Sequence, residues 1–229
     1  MGRTYVMGDI HGAYKALRKC LDRAGFDYEH DRLIALGDVC DGWPQTFECI
    51  EELLKIKNLV YILGNHDWWT LEWMTSGILD PAWFHQGGEA TVNSYSDKVP
   101  ERHIRFLSDA RLYFELDRKL FVHAGFDPKF PIQEQSMETL LWDRRLARLA
   151  IDSFPAGVDF KLTSYDEVYL GHTPIAQNIP MHSGDIWLMD TGAGWSGALS
   201  MMDINTKEVF TSGTVPILYP GVKGRQRFS

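Results

Sequence analysis

Apolar and polar positions along the first two-thirds of the chain switch between two periods, and the switch points mark its elements. Thr4-Tyr5-Val6-Met7 is a short apolar run that stops at Gly8-Asp9. Ala13, Ala16, Leu17, Cys20, Leu21 and Ala24 then recur at the spacing of one helix face. Arg32 to Leu36 predicts a second strand, stopping at Gly37-Asp38. Pro44 to Ile56 follows as a helix, with Phe47, Ile50, Leu53 and Leu54 on its inner face and Pro44 opening it. A third strand, Leu59 to Leu63, stops at Gly64-Asn65. Three times a strand delivers a glycine and then a polar side chain at its carboxyl end. Buried strands joined by helices make an open α/β sheet, which binds ligands where the strand ends emerge.

Beyond this the pattern loosens. Trp68 to Asp109 is mostly helical and rich in tryptophan (Trp68, Trp69, Trp73, Trp83), predicting a helical insertion at about 68–110 beside the strand ends. Leu120 to His123 predicts a strand, Gln135 to Ala150 one helix, and Asp152 to Ser164 an irregular loop. Glu167–Leu170, Ile186–Met189, Ala198–Ile204 and Glu208–Thr211 are short strands with no long helices between them, which predicts antiparallel pairing. The expected architecture is an α/β sandwich of two mixed β-sheets flanked by helices. At 229 residues it suits a single domain over 1–229.

Composition narrows the class. With 45% hydrophobic and 24% charged residues the chain can fill a core. A net charge of -8 argues against non-specific nucleic-acid binding or attachment to an anionic membrane. Cys20, Cys40 and Cys49 have no CxxC spacing, so reduced, buried thiols are expected rather than disulfides or a thiolate zinc site. The first motif begins at Gly8, leaving no room for a signal peptide before it, and no apolar run reaches membrane-spanning length. A cytoplasmic protein is expected.

The candidate chemistry lies in five motifs: Gly8-Asp9-Ile10-His11-Gly12, Gly37-Asp38-Val39-Cys40-Asp41, Gly64-Asn65-His66-Asp67, Val122-His123-Ala124-Gly125 and Gly171-His172-Thr173. Any one alone reads as a turn or a hydrogen-bonded core histidine. All five in order, each just past an apolar run, read as a metal site. Carboxylate, imidazole and amide oxygen suit Mn, Fe or Zn. Alternation at a strand end puts Asp9 and His11 on one side. Asp38 reaches in from the neighbouring strand and can bridge two ions, while Asn65, His123 and His172 can close the coordination of the second ion. Two ions about 3.5–4 Å apart would clamp a phosphoryl oxygen and acidify a shared water into the attacking nucleophile. His66, directly after a ligand, should face the substrate as a general acid, with Asp41 fixing its tautomer. His30, His85, His103 and His182 lack such context and read as surface or structural residues.

These motifs resemble the phosphoprotein phosphatases within the calcineurin-like metallophosphoesterases. The nearest resemblance is to the short bacterial and phage branch, which includes the lambda phosphatase and the symmetrical dinucleoside tetraphosphatases. Further points of likeness are Gly87-Gly88 with Ala90-Thr91 and Ser94-Tyr95, the Phe121-to-Gly125 strand, Leu141-Trp142-Asp143-Arg144 and Asp190-Thr191-Gly192-Ala193. The resemblance implies that Asp9, His11 and Asp38 hold one metal, and that Asp38, Asn65, His123 and His172 hold the other. It also implies His66 as the acid with Asp41 behind it, Arg144 on phosphate oxygens, and two divalent ions, manganese foremost with iron or zinc as alternatives.

Two departures matter. The family's second motif usually runs Gly-Asp-x-x-Asp-Arg-Gly, but Gly42 and Trp43 follow Asp41 here, so a phosphate-gripping guanidinium is missing. Asp67 stands where Glu is usual. Arg145, Arg111 and Lys98 are unranked replacements, and Trp43 reads either as packing or as a stacking face. On this view Gly42→Arg should raise monoester turnover. The expected function is a phosphomonoesterase of the serine/threonine protein phosphatase type acting on a phosphorylated substrate. The alternatives are a nucleotide hydrolase, cleaving dinucleoside polyphosphates or diesters, and a non-enzymatic phosphate-binding module.

Overall fold

The computed structural model describes residues 2–96, 98–154 and 160–225. Its strands make two five-stranded sheets. The first has the order β10-β9-β1-β2-β3, from β1 (Thr4–Met7), β2 (Arg32–Ala35), β3 (Asn58–Tyr61), β9 (Ala198–Asp203) and β10 (Val209–Thr214). The second has the order β4-β5-β6-β8-β7, from β4 (Tyr113–Leu116), β5 (Lys119–Val122), β6 (Glu167–Leu170), β7 (Met181–Ser183) and β8 (Ile186–Leu188). β1, β2 and β3 run parallel, as do β5, β6 and β8, and the outer strands β9, β10, β4 and β7 pair antiparallel.

Strand periodicity explains the layers. Val6, Ile34, Phe121, Tyr169 and Met202 point between the sheets. Their neighbours Tyr5, Met7, Leu33 and Ala35 point to the opposite face, where α1 (Tyr14–Ala24) and α2 (Thr46–Leu53) pack. On the second sheet Leu120, Val122, Val168 and Leu170 pack outward with Leu146, Ala147 and Ala150 of α8 (Arg145–Ser153). Strands covered on both faces need apolar residues at every position, hence unbroken runs such as Tyr5-Val6-Met7. Each large aliphatic side chain buried in these layers contributes about 1.5–3 kcal/mol.

The two-sheet architecture matches the sequence expectation, with local corrections. Pairing in the last third is mixed: β6 is parallel to both β5 and β8. The crossover from β5 to β6, through α7 (Met137–Trp142) and α8, is long enough to return the chain in the same direction. β4 and β7, short edge strands, lack an apolar run to betray them. Pro44 precedes α2 rather than opening it, and Leu54 is 41% exposed, just past the helix end. The helix expected over Gln135–Ala150 is two helices, broken at Asp143, whose backbone is extended (φ -70, ψ 124). Of the loop expected over Asp152–Ser164, residues 155–159 lie outside the described residues.

Between β3 and β4 the chain is helical: α3 (Asn65–Ser76), the single turn α4 (Pro81–Trp83), α5 (Glu89–Ser94) and α6 (Glu101–Ser108). No helix among the described residues is long and apolar enough to cross a membrane.

Candidate dinuclear metal site

The parallel strands of both sheets end at the same edge of the sandwich. Asp9 and His11 follow β1, Asp38 follows β2, and Asn65 and His66 open α3 after β3. His123 follows β5 directly, and His172 lies two residues past β6. All seven are buried. One donor atom from each of Asp9, His11 and Asp38 lies within 4.8 Å of the others, and the same holds for Asp38, His123 and His172. Asp38 is common to both groups. Asn65 joins the second through its Oδ1, 3.1 Å from His123 Nε2.

Backbone contacts aim these donors. The ring Nδ1 of His11 donates to the carbonyls of Cys40 (2.9 Å) and Asp41 (3.0 Å), and that of His123 to the carbonyl of Leu36 (2.7 Å). This tautomer leaves each Nε2 as the free donor toward the cluster. The Nε2 of His172 is buried without any hydrogen-bond partner. His11, Asp38, Asp41 and His172 all have positive φ, between 50° and 70°. Such backbone costs on the order of 1–3 kcal/mol per residue and is found where a site dictates the geometry. Glycine matters at Gly64, where a Cβ would lie 2.0 Å from Asp38 Oδ1.

The electrostatics favour a bound cation. Burial, then the neighbouring carboxylates of Asp190 and Asp38, pushes Asp9 well above the usual carboxylate range. Burial and Asp67 do the same to Asp38. Burial drives His11 and His172 well below the usual imidazole value and His123 down to about 3. Neutral imidazoles beside crowded buried carboxylates, with an Nε2 that has no hydrogen-bond partner among them, are a donor set suited to a cation.

A second group adjoins this one. His66 Nδ1 lies 2.7 Å from Asp41 Oδ2, which also accepts from Trp83 Nε1 (2.7 Å), while Asp41 Oδ1 accepts from Thr91 Oγ1 (2.8 Å). Burial pushes Asp41 up to about 7, against the hydrogen bonds from Thr91 and Trp83. The His66 ring meets His11 edge-on at 5.1 Å, so the pair faces the donor cluster. The break at Asp143 turns Arg144 inward, where its Nη1 donates to the His172 carbonyl (3.0 Å). Arg144 is half-buried, and Asp190, Asp9 and Asp38 act on its charge.

The cations considered as replacements do not join the cluster. Arg145 is held by Asp143, Arg111 lies over the Phe114 ring, and Lys98 is exposed. Trp43 is 1% exposed, with Nε1 donating to the Ala193 carbonyl and the ring stacked on Tyr219, so it is a packing residue. His103 is likewise structural, bound to Glu51 and Tyr95. The three cysteines are free and buried.

Several contributors escaped sequence reasoning. Asp67 stood out only as a departure from Glu, yet it accepts from the backbone N–H groups of Asp38, Val39, Cys40 and Gly64 and from the Tyr61 hydroxyl. Thr91 and Asp190 belonged to stretches of likeness without a role. Trp83 stood out only as one of the tryptophans of the helical insertion, and Arg225 had no local signal at all. Arg225 comes from the far end of the described chain and puts Nη1 3.4 Å from His11 Nε2.

With fold and site in view, the class follows: the chain belongs to the calcineurin-like phosphoesterases, whose family pattern matches residues 2–188. Membership makes it a metal-dependent phosphoesterase, a hydrolase, and implies divalent ions in a dinuclear centre, which the two donor groups sharing Asp38 fit. It is 26% identical over 210 residues to a serine/threonine-protein phosphatase 1 of Salmonella typhimurium, covering 88% of this chain and 91% of that protein. It is 27% identical over 144 residues to a symmetrical bis(5'-nucleosyl)-tetraphosphatase of Nitrosomonas europaea, covering 60% of this chain and only 52% of that protein. A protein serine/threonine phosphatase from Saccharomyces cerevisiae shares the fold, with a TM-score of 0.66 at 12% identity, over 97% of this chain and 82% of its own.

Proposed function

We propose that the chain is a phosphomonoesterase of the serine/threonine protein phosphatase type, with manganese as its working metal. The observation that carries this reading is the shared Asp38, which joins Asp9 and His11 to His123 and His172 in one buried donor set beside the His66–Asp41 pair. Asp9, His11 and Asp38 would hold one ion, and Asp38, Asn65, His123 and His172 the other. Bound there, the ions would polarise a phosphoryl oxygen and acidify water at neutral pH.

The protein's own groups do the rest. Asp41 accepts from Nδ1–H of His66 throughout and stabilises the charged ring, so the ring gives its Nε2 proton to the leaving oxygen and is left as the neutral Nδ1–H tautomer. Trp83 and Thr91 fix the Asp41 carboxylate, so the ring cannot turn away. Arg144 binds the non-bridging phosphate oxygens by its planar fork. The phosphatase relative spans nearly the full length of both chains, whereas the tetraphosphatase relative is matched over about half its length, which favours the monoester reading.

The test is a substrate panel with Mn²⁺: p-nitrophenyl phosphate and phosphoserine and phosphothreonine peptides against diadenosine tetraphosphate and phosphodiesters. Turnover of the monoesters, abolished by a chelator and restored by Mn²⁺, is expected. Turnover of the dinucleotide alone would replace this reading with the nucleotide hydrolase, and inactivity with every divalent metal would sink both.

A further inference from the structure

The second motif carries glycine where a cation would serve a phosphate, and the structure shows what fills the space. Gly42 has φ +114, and a Cβ built on it would lie 2.9 Å from the Cγ of Arg225. A Cβ on Gly87 would lie 3.3 Å from the same atom. The aliphatic stem of Arg225 thus packs against two residues without side chains, themselves joined by a hydrogen bond from Gly42 N–H to the Gly87 carbonyl (3.2 Å). Its backbone N–H donates to the Gly194 carbonyl (2.8 Å) and its Nε to the Gln86 carbonyl (3.2 Å). The guanidinium lies against the Trp195 ring, 4.6 Å from the centroid. Nη1 then reaches to 3.4 Å from His11 Nε2, at the mouth of the donor cluster.

We infer that Arg225 is a substrate-binding residue: with its stem packed on Gly42 and Gly87, its guanidinium grips the phosphate of the substrate where the second motif itself offers no cation. This rests on the proposed phosphomonoesterase reading. Arg225 has no carboxylate hydrogen-bonded to it among the described residues; Nε is held by the Gln86 carbonyl and Nη1 meets only the neutral His11 ring, at 3.4 Å, so its charge is not paired with an anion. Its charge already acts on Asp9, Asp38, Asp41, Asp190 and His66. With metals neutralising Asp9 and Asp38, a substrate phosphate is the anion that can satisfy both Arg225 and Arg144. The same packing explains why the position after Asp41 is glycine. A side chain there would expel Arg225.

The experiment uses the full chain loaded with Mn²⁺ and inorganic phosphate as probe. Phosphate affinity is measured by titration calorimetry, with KM and kcat for p-nitrophenyl phosphate alongside. Arg225→Ala is expected to weaken phosphate binding and lower kcat/KM by about 10- to 100-fold, the scale of one or two charge-assisted hydrogen bonds. Metal content and melting temperature should stay at wild-type values. Arg225→Lys should recover part of the loss, and added guanidinium should partly rescue Arg225→Ala but not the wild type. Wild-type phosphate affinity in Arg225→Ala overturns the inference. So does a rise in turnover, which would make the tail a plug instead of a grip. If the wild type binds phosphate through Arg225 yet hydrolyses no ester, the phosphomonoesterase reading fails while the assignment of Arg225 stands.

Discussion

Replacing Asp67 with Asn tests how the site is held together. Both carboxylate oxygens of Asp67 are fully used. Oδ1 accepts from the N–H of Val39 (2.9 Å) and Cys40 (3.3 Å), and Oδ2 from the N–H of Asp38 (2.8 Å) and Gly64 (3.0 Å) and from the Tyr61 hydroxyl (2.7 Å). An amide keeps one oxygen and puts an NH₂ at the other position. Whichever way it turns, two buried N–H donors face another donor, and each costs about 1–3 kcal/mol. The full range would be about 2–6 kcal/mol. Burial already pushes the Asp67 carboxyl upward, so losing its charge returns part of that cost, and we take the lower half, about 2–4 kcal/mol. For a chain of this size that is a fall in Tm of roughly 4–16 °C. Because either orientation loses at least one contact to the loop that carries Asp38, metal affinity should fall as well. Thermal unfolding followed by tryptophan fluorescence, with and without Mn²⁺, and metal analysis of the folded protein read both effects. A Tm within about 2 °C of wild type, with unchanged metal stoichiometry, would refute the reasoning.

Three further outcomes are expected. His66→Asn should lower kcat by about 10²–10⁴ while leaving both metals bound, as followed by turnover and metal analysis; equal loss of metal would make His66 structural instead. Gly42→Arg should reduce monoester turnover, contrary to what the second motif alone suggests, because φ +114 strains any side chain and the new one displaces Arg225; higher turnover in a folded variant would show that the site has room for both. Burial works to raise the Glu167 carboxyl, but hydrogen bonds from Lys119, Lys207 and Tyr169 hold it at about 2. That depressed value stabilises the fold above the ordinary Glu range of about 4.5, and the contribution disappears as pH falls toward 2. Glu167→Gln should therefore cost roughly 1–2 kcal/mol at pH 7, after allowing for solvent screening, and progressively less in acid. A Tm difference that does not shrink between pH 7 and pH 2 would contradict this.

The site was legible where its logic is local. A parallel strand buried on both faces must read as an apolar run, and its carboxyl end is where a polar ligand can emerge, so Asp9, Asp38, Asn65, His123 and His172 are marked by what precedes them. His66 and Asp41 were readable by their offsets from those ligands. The break between α7 and α8 was not, because Asp143 and Arg144 sit inside an unbroken helical pattern, and only docking against His172 makes a turn there worthwhile. β9 and β10 pair antiparallel as expected, but the direction of β6 against β8 was misread for a related reason: a short apolar strand looks the same in a parallel and an antiparallel ladder.

The sequence by itself determined the alternation of strand and helix, the candidate donor residues and the absence of a cation after Asp41. Each is written in neighbouring residues, where periodicity and spacing act directly. The tertiary structure alone decided that Asp67 ties the second motif's loop, that Trp83 reaches Asp41, and that Arg225 lies in the gap left by Gly42 and Gly87. These depend on segments brought together only when the two sheets pack. A glycine in the chain records that space is needed, but what enters that space is settled by the packing of distant residues around it.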